Sequence, residues 1–365
     1  MENTPNNIPS KQRLLSLDVL RGLTVAGMIL VNNGGGKVSY EPLRHSAWNG
    51  LSLADLVFPF FLFMVGVSTY ISLRKFEFKW SNALALKIVK RTCLILLIGW
   101  AIYWFEGCCK GDFLPFDHMR IPGVLQRIAL CYGVVSLLAV TVSHRWLPWL
   151  AGLLLAGYAF LLLQANGYVC DETNVLCMVD RAVFGTAHLY HKSPIDPEGL
   201  LGVIPSVAHT ILGFWGGKIL MEHVELRNKI LHLFIFGFVL MGVGLLFAYG
   251  LPINKRIWSP TLVLFTCGLA TSLLAWFLYV IDYKGNKSWT PFFVSFGVNP
   301  LFIYVVSELM NIAFAEFGVS QTLFAGIYSV VPDAYVASLV YAIVFVLLNW
   351  AIGYPLYKKK IYIKI

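Results

Sequence analysis

Along most of this chain, apolar residues come in blocks of about 20, the length needed to cross a hydrocarbon core of ~30 Å, separated by short polar stretches. Reading those blocks by length and periodicity predicts ten membrane spans, over residues 14–32, 53–73, 84–105, 124–142, 147–166, 200–220, 230–251, 260–281, 299–317 and 335–357. One further apolar piece, residues 321–331, is too short to cross and is expected to lie in the interface or re-enter. The pattern predicts an all-α, polytopic membrane helix bundle of about ten transmembrane helices. No internal repeat, linker or soluble segment divides it, so residues 1–365 are read as a single transmembrane domain.

Composition supports the pattern. Hydrophobic residues make up 58% of the chain, charged residues only 13%, and mean hydropathy is +0.71. A soluble domain of this length needs roughly a quarter of its residues charged. The net charge of +9 points to oriented loops rather than to nucleic acid. With the N-terminus inside, 18 of the 28 lysines and arginines fall on inner segments and nine on outer ones, with Arg21 inside the first span. That asymmetry places both termini in the cytoplasm, residues 1–12 being a polar cytoplasmic tail. Residues 1–10 show no secretory-signal pattern, so the first helix is expected to be retained. The longest extracytoplasmic loop, residues 167–199, contains Cys170 and Cys177, a plausible disulfide on an oxidising side. Cys93, Cys131 and Cys267 sit in apolar runs and read as packing residues.

Polar chemistry concentrates between the first two spans, in NNGGGKVSYEPLRHSAWNGLSLADLVFPFFLFMVG, residues 32–66. A neutral imidazole at His45 can take a proton from an amine or hydroxyl, or accept an acyl group. The bland alternative is an interfacial loop histidine with no duty. Asn32 and Asn33 end the first span and either cap it or offer an amide N–H to an oxyanion. Gly34, Gly35, Gly36 and Lys37 imitate a phosphate loop, but Val31 and Val38 stand where the nucleotide-binding pattern needs Gly and Ser or Thr. The glycines instead permit a sharp turn and close approach to a ligand. Asp55 completes a capping box with Ser52 at the start of the second span, and it competes for a second role as orienter of a catalytic group. Trp48 and Asn49 lie in the same loop as candidate substrate contacts.

Other spans carry isolated charges. Arg127 stands ~7 Å inside the fourth span and calls for a partner, with Asp196 and Glu198 as the candidates. Arg127 and Glu198 are also candidate substrate contacts. Asp18 and Arg21 are spaced to meet on one helix face, as a structural pair or with Arg21 turned to an anionic ligand. Glu308 in the ninth span is costly unless satisfied. The histidines show no metal-ligand spacing with carboxylates or cysteines, and no catalytic metal is expected.

Several ordered blocks together resemble the heparan-α-glucosaminide N-acetyltransferase family and its bacterial relatives. They are SLDVLRG (16–22), VNNGGGK (31–37), HSAWNGLSLADLVFPFFLF (45–63), RIPGVLQR (120–127), DPEGLLG (196–202), the Asn254-Lys255 pair with Trp258, TPFF (290–293) and YKKKI (357–361). The resemblance implies acetyl transfer from acetyl-CoA to the amino group of a glucosamine-type sugar. It places the active-site histidine on His45 and the active-site asparagine on Asn32. Arg21 and Gly34–Gly36 are then the candidate acetyl-CoA contacts. Implied partners are acetyl-CoA, an amino-sugar or glycan acceptor, membrane lipid and a second copy in a homodimer. The implied location is a bacterial inner membrane, with His45 facing the periplasm. A transporter or flippase for a glycan or lipid-linked sugar, using Asp18, Arg21, Arg127 and Glu308 as its pathway, is the competing reading.

Overall fold

A computed structural model describes residues 14–363. The predicted tail, residues 1–12, lies outside the described residues. Within them the chain forms thirteen α-helices and no strand: α1 (Leu15–Asn32), α2 (Ala54–Arg74), α3 (Asn82–Cys109), α4 (Val124–Thr141), α5 (Leu147–Gln164), α6 (Val175–Phe184), α7 (Val203–Glu222), α8 (Leu226–Ala248), α9 (Pro260–Phe277), α10 (Thr290–Gly297), α11 (Pro300–Glu316), α12 (Val319–Val330) and α13 (Ala334–Lys358). Their starts follow local chemistry. Ser259 accepts from the Leu262 amide ahead of Pro260 at the first position of α9, and Asp333 accepts from the amides of Tyr335 and Val336 to open α13.

Eight helices are long and apolar enough to cross a membrane, namely α1, α2, α4, α5, α7, α8, α9 and α13, with α5 and α9 counted with the turns that extend them. The pair α10 and α11 makes a ninth if it is one span broken by an 84° bend. The predicted span at 84–105 is α3, the longest helix at 28 residues, which carries Lys87, Lys90 and Arg91 in its first half and stands outside those eight. The bend between α10 and α11 falls at Asn299. Its side chain donates to the Ile361 carbonyl (2.8 Å) and accepts from the Ile363 amide (2.8 Å), pinning the end of the chain across the break.

The bundle is sorted by depth. α2 and α7 bury 67% and 72% of their most apolar windows, whereas α8 buries only 22% and shows its remaining face outward. α1 meets α10 at two glycines, Gly22 and Gly297. A Cβ on either would run into backbone, at Phe293 and Asp18 respectively, so the crossing requires both. The short apolar piece becomes α12, twelve residues with no buried side chain, of the length expected for a segment that does not cross.

One expectation about the 167–199 stretch, the Cys170–Cys177 disulfide, is corrected. The stretch contains α6, started by the Asn174 side chain accepting from the Leu176 amide. Cys170 and Cys177 are separate thiols, because α6 turns Cys177 inward against Tyr158 and Leu162 while Cys170 stays exposed.

Candidate active site

The loop between α1 and α2 is fastened by one carboxylate. Asp55, in the first turn of α2 and 1% exposed, uses its two oxygens differently. Oδ2 accepts from the amides of Ser46 and Ser52 (both 3.1 Å) and from their hydroxyls (2.8 and 3.0 Å). Oδ1 lies 2.9 Å from Nδ1 of His45. The helix-start contacts and the contact to the imidazole are therefore made by one residue. A carboxylate at Nδ1 holds the ring proton there and puts the imidazole lone pair on Nε2.

His45 borders a cavity of about 370 Å³ reached by Asn32 from α1, Tyr103 from α3, Tyr304 and Glu308 from α11, and Glu198. Lys255, from the loop between α8 and α9, enters the same space. Its Nζ lies 3.1 Å from Nδ1 and 3.4 Å from Nε2 of His45, and 3.7 Å from Oδ1 of Asp55. Burial lowers the Lys255 pKa, against the opposing pull of Asp55. On the far wall Arg120 donates to both oxygens of Asp196 and to Glu198 Oε2 (2.7 Å), with its guanidinium over the Tyr190 ring.

A second cavity, of about 420 Å³, opens at the other end of the same helices. Arg21, Lys75, Lys87 and Arg91 line it, with Ser68 and Thr69. Arg21 is paired with Asp18 (3.2 Å) and also donates to Ser68 Oγ (3.0 Å), so it keeps the ion pair while bordering the cavity. The two cavities are one helical turn apart. Phe58 lines the first and Phe61 the second on α2, as do Gly99 and Ile95 on α3.

The predicted residues divide accordingly. His45, Asn32, Asp55, Trp48 and Glu198 meet around the first cavity, and Arg21 lines the second. Trp48 also donates its indole N–H to the Tyr168 carbonyl (2.9 Å). Asn49 is not a cavity residue: its side-chain oxygen accepts from Asn254 Nδ2 (3.1 Å), tying the His45 loop to the α8–α9 loop. Arg127 is not one either. It is 2% exposed, donates to the Gly199 carbonyl (3.2 Å) and lies over the Trp258 ring (5.1 Å). Asp196 and Glu198 pair with Arg120 instead. Gly35 and Gly36 pack under the Phe324 ring and Gly34 faces Ser338, so these glycines serve the junction with α12 and α13 and border neither of these two cavities. Lys255 and Arg120 were missed among the candidates. Their only sequence signal was membership of the blocks at 254–258 and 120–127.

The catalytic model of heparan-alpha-glucosaminide N-acetyltransferase matches residues 13–233, a stretch that includes His45, Asp55 and both loops of the Arg120 cluster. The chain belongs to the heparan-alpha-glucosaminide N-acetyltransferase family. It is 32% identical to the mouse enzyme of that name over 98% of its own length, and 32% identical to the human one over 82%. It spans 61% of the mouse protein and 53% of the human protein.

Proposed function

We propose that this family member is an integral-membrane acetyltransferase that moves acetyl from acetyl-CoA to the amino group of a glucosamine-type sugar, with His45 as the general base. The observation that carries the reading is the His45–Asp55 pair at one end of a helix set whose other end bears the Arg21 cavity. Four cations, Arg21, Lys75, Lys87 and Arg91, suit the phosphates of CoA. Arg21 and Asn32 are eleven residues apart on α1, about 16 Å along the axis, a distance an extended pantetheine arm can cover. Loop charge supports placing the Arg21 end in the cytosol and the His45 end outside.

In this reading the thioester lies beside Asn32 and His45. The sugar amine attacks the carbonyl carbon, the C=O electrons move onto oxygen, and the Asn32 amide donates to that oxygen. His45 Nε2 takes the proton lost by the amine, and Asp55, accepting from Nδ1–H, stabilises the imidazolium. Collapse of the intermediate breaks the C–S bond and releases CoA.

Phe58 borders one cavity and Phe61 and Ile95 the other, so a path between them is lined by apolar side chains and suits a pantetheine arm better than a polar sugar. Purified protein in detergent, given radiolabelled acetyl-CoA and glucosamine, should form labelled N-acetylglucosamine, and His45→Ala should not. Near-normal turnover by a folded His45→Ala protein would sink the assignment.

A further inference from the structure

The loop that delivers Lys255 is built at some cost. Trp258, 1% exposed, holds a left-handed φ of 52°, a conformation a bulky residue adopts only when its surroundings over-determine it. The surroundings do so. Asn254 Oδ1 accepts from the amides of Arg256 (2.8 Å) and Ile257 (3.3 Å), and Asn254 Nδ2 reaches Asn49 in the His45 loop. The Asn254 amide donates to Ser259 Oγ (3.0 Å), and the Ser259 amide donates back to the Asn254 carbonyl (2.9 Å). The Trp258 ring is held between the Arg127 guanidinium (5.1 Å) and Phe58 (5.0 Å). All of this fixes one side chain, Lys255, against the imidazole of His45.

Resting on the acetyltransferase reading, we propose that Lys255 is the general acid of the transfer, protonating the departing CoA thiolate and recovering its proton from His45. The protons balance. The amine proton passes to His45 Nε2, an ammonium proton of Lys255 passes to the sulfur as the C–S bond breaks, and the imidazolium returns its proton to the resulting Lys255 amine. The 3.4 Å separation between Nζ and Nε2 suits the last step. The acid is primed by its neighbours. An ammonium and an imidazolium in contact repel, so proton uptake by His45 drives release from Lys255. Burial of the amine works in the same direction, and Asp55 keeps enough negative charge nearby to hold the resting ammonium.

A lysine that only supplied charge would be replaceable by arginine, which does not give up its proton in proteins. Lys255→Met and Lys255→Arg should therefore both lose about 10²-fold or more in kcat with acetyl-CoA, with KM for acetyl-CoA little changed. With an activated thioester such as S-(4-nitrophenyl) thioacetate, whose thiolate needs no proton to leave, both variants should come within a few-fold of the unaltered protein. The unaltered protein gives an independent reading. The groups facing Lys255 are His45, Asp55 of α2, Glu198 and Arg256. With acetyl-CoA, kcat should fall on an alkaline limb below the ordinary lysine value of ~10.4, and the limb should vanish with the activated donor. Full activity in Lys255→Arg, or equal losses with both donors, or the same limb with both donors, overturns the acid role while the acetyltransferase reading stands. Transfer from neither donor by the unaltered protein overturns both.

Discussion

Nδ1 of His45 and Oδ1 of Asp55 lie 2.9 Å apart, and the other oxygen of the same carboxylate binds both loop serines. Asp55→Asn keeps an acceptor but can present N–H to the ring, disturbing the tautomer. The proposed base should then lose on the order of 10³–10⁴ in kcat with the fold retained. A turnover assay beside a thermal melt checks this, and a loss under tenfold would assign Asp55 to loop anchoring alone.

Asn32 reaches the cavity from the last residue of α1. Asn32→Ala should lower kcat by about 10²–10³ if its amide meets the oxyanion, whereas loss of a mere cap would leave kcat alone and lower the melting temperature slightly. Kinetics at saturating acetyl-CoA separate the two.

Arg21 borders the second cavity while bonded to Asp18 and Ser68. Arg21→Ala should raise KM for acetyl-CoA about tenfold, equivalent to about 1.4 kcal/mol, with kcat near normal. An unchanged KM would leave Arg21 as a structural ion pair. Desulfo-CoA and pantetheine, compared as inhibitors, would show whether the effect belongs to the nucleotide end.

Gly297 and Gly152 are both helical glycines, yet they should answer oppositely to alanine. A Cβ at Gly297 meets the backbone of Asp18, whereas one at Gly152 on α5 meets nothing within 4 Å. Gly297→Ala should cost about 1–3 kcal/mol or more, and Gly152→Ala should gain about 0.5–1 kcal/mol from helix propensity. Melting temperatures in one detergent measure both.

Asp180 on α6 is 1% exposed, and burial raises its pKa from 3.8 to about 6. The folded state thus binds a proton that the unfolded state has released. Its stabilising share is full below pH 3.8, falls as pH rises through about 6, and is constant beyond, a loss on the order of 3 kcal/mol at about 1.4 kcal/mol per unit. Asp180→Asn should flatten that decline and melt higher than the unaltered protein at pH 7, because the amide oxygen still accepts from Leu200. An identical pH dependence in the two proteins would contradict this.

The sequence made the helices legible wherever a long apolar run stood alone, and it made His45 and Asp55 legible because they are ten residues apart in one motif. What it hid was partnership across the chain. Arg127 seemed the natural partner for Asp196 and Glu198, since all three border helix starts on the same side. α4 begins at Val124, which leaves Arg120 in the loop, where it can reach those carboxylates, and sends Arg127 inward to Trp258. Lys255 lies 210 residues from His45, and only the packing of α8 and α9 against the rest brings it there. The bend between α10 and α11 was equally invisible. Asn299 and Pro300 mark its position, but the partners of Asn299, Ile361 and Ile363, are more than sixty residues away in sequence.

The turn of helix that parts the two cavities has a consequence for the cell. A protein that linked its two mouths by open water would leak protons and drain the electrochemical gradient across its membrane. Here Phe58 faces one cavity and Phe61 and Ile95 the other, so on the acetyltransferase reading the pantetheine arm would run past hydrocarbon, which water and protons cross poorly.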